Sequence, residues 1–343
     1  MRHVGRTEPD AKRRRLLLGA AAASLPSAAV LPPPRLAHAQ QDAFPRQQIR
    51  LIVPFAPGTG SDAIARVVAN ELRDRLGQPM VVENRGGAGG ITGTEQGARA
   101  APDGHTLTLG TTSTFLVNPT LNPRAGYAFE RDFAPVAGIG RSFYAVVAAN
   151  SPGAPRTLAE LLDRLRAPGA NGTFASSGTG TITHLASEIL LHKAGVKATH
   201  VPYRGSGPAL ADVIGGQVLF ASDTWAATLP LLRGGNLRAL AITSPERFPG
   251  LPEVPTLIES GFPGTVIDAW FGIAAPAATP APIVGQLSAA ILDAINAPEA
   301  KPRLETLGIE LLSLPPSAFT AFVRENAVFW RDFLRDSGIR IEF

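Results

Sequence analysis

The sequence has no cysteine. That excludes disulfide bridges, thiolate metal sites and a lipid-modified cysteine as an anchor. Aromatic residues make up only 6% and charged residues only 17%. No stripe of Lys and Arg interleaved with aromatics is present, so nucleic acid is not an expected partner. Enzyme motifs are scarce as well. There is no G-x-S-x-G elbow, no G-x-x-x-x-G-K-[ST] loop and no H-E-x-x-H, and His105, His184, His192 and His200 form no i,i+4 pair. No metal and no cofactor are expected.

What is abundant is glycine (35) and proline (31), in a chain of 343 residues that is 45% hydrophobic. This composition suits many short strand–loop–helix units, and the length suits two domains of ordinary size. The net charge of +4 is misleading, because residues 1–39 carry seven Lys/Arg against two Asp/Glu, leaving 25 basic and 26 acidic residues beyond them. That leader begins with Lys12-Arg13-Arg14-Arg15, turns apolar over residues 16–31, and ends at Ala37-His38-Ala39. Consecutive arginines, a modest apolar run and a small-x-small site read as a cleavable, twin-arginine-like export signal spanning residues 1–39. The apolar run is short for a membrane anchor, and no later run reaches the roughly 20 residues that span a bilayer. The expected location is the periplasm, with the signal cut near Ala39 and the protein free rather than tethered.

From residue 49 onward strand and helix signals alternate. Strands are expected at 49–55, 80–82, 105–109, 144–149, 172–175, 200–201, 218–221, 237–242 and 267–275. Helices are expected at 62–76, after the glycine loop 86–90, and near 157–166, 181–194, 207–215, 225–234, 281–296, 298–307 and 316–336. Over 62–76 the residues Ile64, Val67, Val68, Leu72 and Leu76 share one face, and Gly77 stands at the C-terminal cap. The pattern is α/β: two lobes, each a mainly parallel sheet flanked by helices. Lobe one is expected to comprise 40–142 plus 268–343, and lobe two 143–267, with the chain crossing twice.

In such sheets ligands bind beyond the C-terminal ends of strands, at helix N-termini. The loops there are alike in kind: Gly58-Thr59-Gly60-Ser61-Asp62 after Phe55, Thr112-Ser113, Ser176-Ser177-Gly178-Thr179-Gly180-Thr181, Tyr203-Arg204-Gly205-Ser206, and Asp223 between Ser222 and Thr224. Glycine lets backbone approach a ligand, hydroxyls offer hydrogen bonds, and free first-turn N–H groups attract an anion. His184, beside the Ser177 loop, is a further candidate for ligand contact, and Trp270 and Phe271, in the returning strand, read either as plain core or as a wall that shuts on the ligand. Each loop also reads simply as a run of helix caps. Two enzyme readings stand beside these. Gly58-Thr59-Gly60-Ser61-Asp62-Ala63 matches G-x-G-x-x-A with Glu83 twenty residues beyond, a dinucleotide fingerprint, although Asp62 sets a negative charge where a pyrophosphate would dock. His184 near Ser177 could serve as the base of a serine nucleophile.

Several segments, in one order, resemble the tripartite tricarboxylate transporter substrate-binding family, also called the Bug family. They are residues 49–66 (IRLIVPFAPGTGSDAIAR), 81–90 (VVENRGGAGG), 101–110 (APDGHTLTLG), 174–185 (FASSGTGTITHL), 200–216 (HVPYRGSGPALADVIGG), 237–243 (LRALAIT), 252–256 (PEVPT) and 269–276 (AWFGIAAP). The resemblance implies a type II periplasmic-binding-protein fold with two crossovers. It implies a small ligand held between the lobes: a di- or tricarboxylate, an acidic amino acid, or an aromatic acid or amide. It also implies a non-enzymatic, monomeric receptor that delivers to a membrane transporter or, alternatively, docks on a sensor kinase. By position it implies ligand loops at 55–62, 176–181, 203–206 and 223. This chain departs from the family at Thr59-Gly60-Ser61, where many members have two glycines, and at Trp225, whose bulk is expected to alter the pocket.

Overall fold

The computed structural model describes residues 44–122 and 124–337; the expected export signal lies outside them. The chain opens with strand β1 (Ile49–Val53), helix α1 (Gly60–Leu76) and strand β2 (Met80–Asn84). A short turn at Ala88–Gly90 leads to α2 (Ile91–Ala98) and β3 (Thr106–Thr111). β1 pairs in parallel with both β2 and β3. Local chemistry sets these limits. Thr59 caps α1 by accepting from the Asp62 N–H, and Gly77 ends the helix at φ 64°, a conformation glycine adopts at no steric cost.

A π-helical turn at Thr112–Val117 and two single turns, α3 (Asn118–Leu121) and α4 (Phe129–Asp132), precede the long strand β4 (Phe133–Ala149). Then come α5 (Leu158–Arg166), β5 (Thr173–Ser176), α6 (Ile182–Ala194), β6 (Thr199–Pro202), α7 (Ser206–Ile214), β7 (Phe220–Thr224), α8 (Trp225–Arg233) and β8 (Leu237–Ile242). The chain returns through β9 (Asp268–Pro276), α9 (Ala281–Ile295), α10 (Lys301–Thr306), β10 (Glu310–Leu314) and α11 (Pro316–Ser337).

β4 belongs to two sheets. Its first part, ending at the pair Phe143–Asp268, runs antiparallel to β9, and β10 lies on its other side. From the pair Tyr144–Thr224 onward its neighbours are β7 and β8. The first sheet therefore runs β2-β1-β3-β9-β4-β10, and the second β8-β4-β7-β5-β6. Only β2-β1-β3 and β6-β5-β7 are parallel. The expectation of mainly parallel sheets needs this adjustment: β4 leaves the first sheet and β9 returns to it, so the two run in opposite directions side by side. β10 was not read from the sequence. Its ELLSL segment is short, and it is partly exposed between two helices.

The first sheet's core includes Leu51, Val53, Leu107, Leu109, Ile139 and Ile273 against α1, α9 and α11. Two clusters cover the faces of the second sheet, one around Leu161, Phe174 and Phe220, the other around Leu210, Val213 and Trp225. Phe319 of α11 lies flat where β9 and β4 have no side chain. A Cβ on Gly272 would fall 2.1 Å from its ring, and one on Gly138 would fall 2.9 Å from it. Truncating that ring removes a filled site, at a cost of about 3–5 kcal/mol. We expect Phe319→Ala to lose that much in urea unfolding. Gly272→Ala should destabilise the wild type but not the Phe319→Ala protein, which a double-mutant cycle will resolve.

Candidate functional site

Four helices begin around one small space. It is lined by Phe55, Thr59, Gly60 and Ser61 at the start of α1, by Thr111 and Ser113, and by Ser177 and Thr183 at the start of α6. Ser206 at the start of α7, Asp223 and Thr224 before α8, and Tyr144, Ala269 and Phe271 complete it. The cavity is about 30 Å³, room for about two water molecules. The walls touch beyond it. A Cβ on Gly60 would lie 2.9 Å from both Ala226 Cβ and Thr224 Oγ1, and one on Gly178 would lie 2.8 Å from Gly89 Cα. Ser113 Oγ accepts from the Ile182 N–H across the gap at 2.9 Å. The sheets are thus drawn together, and a ligand enters only if they part.

Among the described residues, no Lys, Arg or His lines the space. Its electrostatics come from helix N-termini, each equivalent to roughly half a positive charge, and from one carboxylate. Asp223 is 1% exposed. Its Oδ1 accepts from the Thr224 N–H at 2.8 Å, while Oδ2 accepts no hydrogen bond. Burial pushes the carboxyl up to about 6, against the opposing influence of Ser206 and Thr224.

Other residues singled out from the sequence hold the loops rather than line the space. Burial works against the Asp62 charge, but Arg66, the Gly58 N–H and Asn84 together keep its carboxyl below the ordinary value. Asp62 Oδ2 accepts from Gly58 N at 3.0 Å and from Arg66 Nε at 3.1 Å, so it closes its own loop. Thr112 Oγ1 accepts from the Trp270 N–H. Ser176 Oγ bonds Gly178, and Thr181 Oγ1 donates to Gly178 O at 2.7 Å. Tyr203 donates its hydroxyl to Asp212 at 2.6 Å, away from the cavity. Arg204 is exposed and Thr179 half-buried, while Gly205 lies against Thr59 and Ala56. Trp270 sits under the site, packed edge-on against Phe319 and Phe322. Strand alternation explains this: its neighbours Ala269 and Phe271 face the cavity, so Trp270 faces the opposite way. Trp225 also points out of the cavity, onto Phe248 and Gly308, which corrects the expectation that its bulk shapes the pocket.

Phe271 and Thr224, both singled out from the sequence, line the space, whereas Tyr144 and Thr183 were not anticipated. The Tyr144–Thr224 pairing could not be foreseen without the sheet register. The G-x-G-x-x-A segment is filled from within. Asp62 occupies the Gly58 N–H, and Glu83 pairs with Arg50 and Arg85, which hold its carboxyl at about 2. Ser177 bonds the hydroxyls of Thr181 and Thr183, not a histidine. A much larger groove of 760 Å³ lies by α5, lined by Arg156, Leu162, Leu237 and Phe262. It belongs to the second sheet alone and takes nothing from the strand-end loops of the first, so we place the functional site at the smaller, two-walled cavity.

Residues 64–339 match the model of the tripartite tricarboxylate transporter family receptor. The chain belongs to this family of receptors. The receptor is 35% identical to protein BugT of Bordetella pertussis, covering 89% of this chain and 94% of BugT. Among solved structures it is similar to MatC of Rhodopseudomonas palustris with bound malate (35% identity, TM-score 0.80, 84% of this chain and 99% of that one). It is also similar to R. palustris Rpa4515 with adipate (31% identity, TM-score 0.83, 87% and 99%). These neighbours establish the receptor's fold as the two-lobed one of periplasmic binding proteins.

Behind the Ser177 loop, His184 and His200 stack at 3.6 Å with their planes 8° apart. His184 Nδ1 accepts from the Gly180 N–H, and His200 Nε2 lies 2.6 Å from Ser176 Oγ. Burial, and then the neighbouring His184, lower His200 from 6.5 to about 3. Folding therefore favours its neutral ring. The resulting stability is complete above about pH 6.5 and is lost as pH falls towards 3. His200→Gln should flatten the receptor's loss of stability over that window in denaturant titrations, and an unchanged slope would remove His200 from this role.

Proposed function

We propose that this receptor captures a small carboxylate between its lobes, 40–142 with 268–343 on one side and 143–267 on the other, without transforming it. The observation that carries this reading is the convergence of the α1, α6, α7 and α8 N-termini on one small, hydroxyl-lined cavity in which no described Lys, Arg or His takes part. First-turn N–H groups and hydroxyls hold a carboxylate well, directly or through water. Malate and adipate in the similar R. palustris proteins support the same ligand class here.

The small volume fits a closed form, and ligand pockets are typically about 300 Å³ or more. Admission therefore requires the lobes to part about β4 and β9, and a ligand touching both walls shifts the population back towards closure. We further propose that the receptor is exported after cleavage near Ala39, acts in the periplasm as a monomer, and delivers its ligand to a membrane transporter. No helix among the described residues is long and apolar enough to cross a membrane.

A thermal-shift panel of malate, adipate and other small carboxylates tests the reading. At least one should raise the melting temperature and be recovered unchanged after prolonged incubation. No shift from any of them, or consumption of the bound compound, contradicts it. With the carboxylate that stabilises most, Gly60→Ala should weaken binding roughly 5- to 150-fold, the effect of about 1–3 kcal/mol of overpacking where the walls meet. The unliganded melting temperature should change little. Ser177→Ala should weaken binding in the same assay.

A further inference from the structure

A second pocket lies where β4 crosses from one sheet to the other. Along one edge of β4, β10 pairs as far as Arg141 and β8 pairs from Ala145 onward. Between them residues 142–144 have no strand partner on that edge, and a pocket of about 340 Å³, lined by Phe143, opens there. Small-molecule sites commonly measure about 300–1,000 Å³. One wall is Gly308 and Ile309, leading into β10; the other is Ile242, Phe248 and Trp225.

Trp225 has an unused donor. It is 1% exposed, and its indole Nε1 has no hydrogen-bond partner. A buried indole N–H usually finds an acceptor. A Cβ on Gly308 would lie 2.8 Å from Trp225 Cβ and 3.7 Å from its Cδ1, so the ring edge that carries Nε1 is turned to the opposite wall. Phe248, half-buried, packs on the indole with ring centroids 5.1 Å apart.

The charges at the mouth turn anions away. Arg141 is taken by Glu310 at 2.9 Å, and Arg247 by Glu259 at 2.9 Å. Among the described residues Glu305 pairs only with Lys301, 4.0 Å away, and Glu246 has no ion pair. Aromatic walls, an unused donor and surplus carboxylates suit an uncharged aromatic ring that carries an acceptor. They do not suit the carboxylate of the other cavity.

We propose that this crossover pocket is a second ligand site, for an uncharged heteroaromatic molecule whose ring acceptor takes the Trp225 N–H as Phe248 moves aside. The occupant touches walls that belong to both sheets. Trp225 directly follows Thr224, which lines the carboxylate cavity. Holding the walls as they stand with that cavity closed favours closure, so the occupant tightens carboxylate binding. This coupling rests on the function proposed above; the site itself does not.

Quinoline, and naphthalene as its isostere without the ring nitrogen, test the site on the exported form at pH 7.5. Proton–nitrogen correlation NMR follows the indole N–H signals, that of Trp225 being identified by its loss in Trp225→Phe. Quinoline should move that signal downfield in a saturable way and bind about tenfold or more tightly than naphthalene. Trp225→Phe should remove the difference. Naphthalene binding as tightly as quinoline, or a Trp225 signal that stays in place, would overturn the site. With quinoline saturating, the Kd of the stabilising carboxylate should fall about fivefold or more. An unchanged Kd overturns the coupling and leaves the site. If no carboxylate binds, the capture reading falls, while the quinoline result still decides the site. Should Trp225→Phe not fold, the comparison of quinoline with naphthalene in the wild type decides.

Discussion

The structure depends on how polar groups are satisfied where four helices start around one space. Each helix leaves unpaired N–H groups at its N-terminus, and burying several such ends together is tolerable only if each finds a partner. The loops provide most of them. Thr59, Asp62, Thr181 and Ser113 accept from first-turn or loop N–H groups. These are the same hydroxyl- and glycine-rich segments that give the site its shape. Capping and ligand binding are therefore one piece of chemistry here, with the caps setting which donors remain for a ligand.

Strands rather than loops carry the chain between the two sheets. β4 and β9 carry the chain across, antiparallel and paired up to Phe143–Asp268, before β4 takes new neighbours. A ladder of backbone hydrogen bonds fixes where each half can sit, so the strand-end loops of both sheets arrive at the same space. The lack of side chains at Gly60, Gly89 and Gly178 lets the walls meet. A longer side chain at any of them would hold the halves apart.

Much of this was legible in the sequence. Strand and helix positions followed from apolar periodicity and from the cap at Gly77, and the loops at 58–62, 176–181 and 203–206 stood out by composition. What was not legible follows from geometry that one sequence does not carry. The parity of β9 turns Trp270 into the core and Phe271 into the cavity. The register of β4 on β7 brings Tyr144 to the site, far in sequence from the loops it faces. Asp62 looked like a ligand group, but Gly58 and Arg66 already use it. Composition alone does not tell a capping acid from a binding one; the hydrogen-bond partners do.

The central claim is that capture occurs at the meeting point of the α1, α6, α7 and α8 N-termini, not in the larger groove beside α5. Backbone amide hydrogen exchange of the receptor, with and without the carboxylate that stabilises it, tests this most directly. Protection should rise in the first turns of those four helices and in the β4 and β9 crossings, with residues 156–166 unchanged. Protection concentrated along 156–166 and 237–240, with the four helix starts unaffected, would contradict the account.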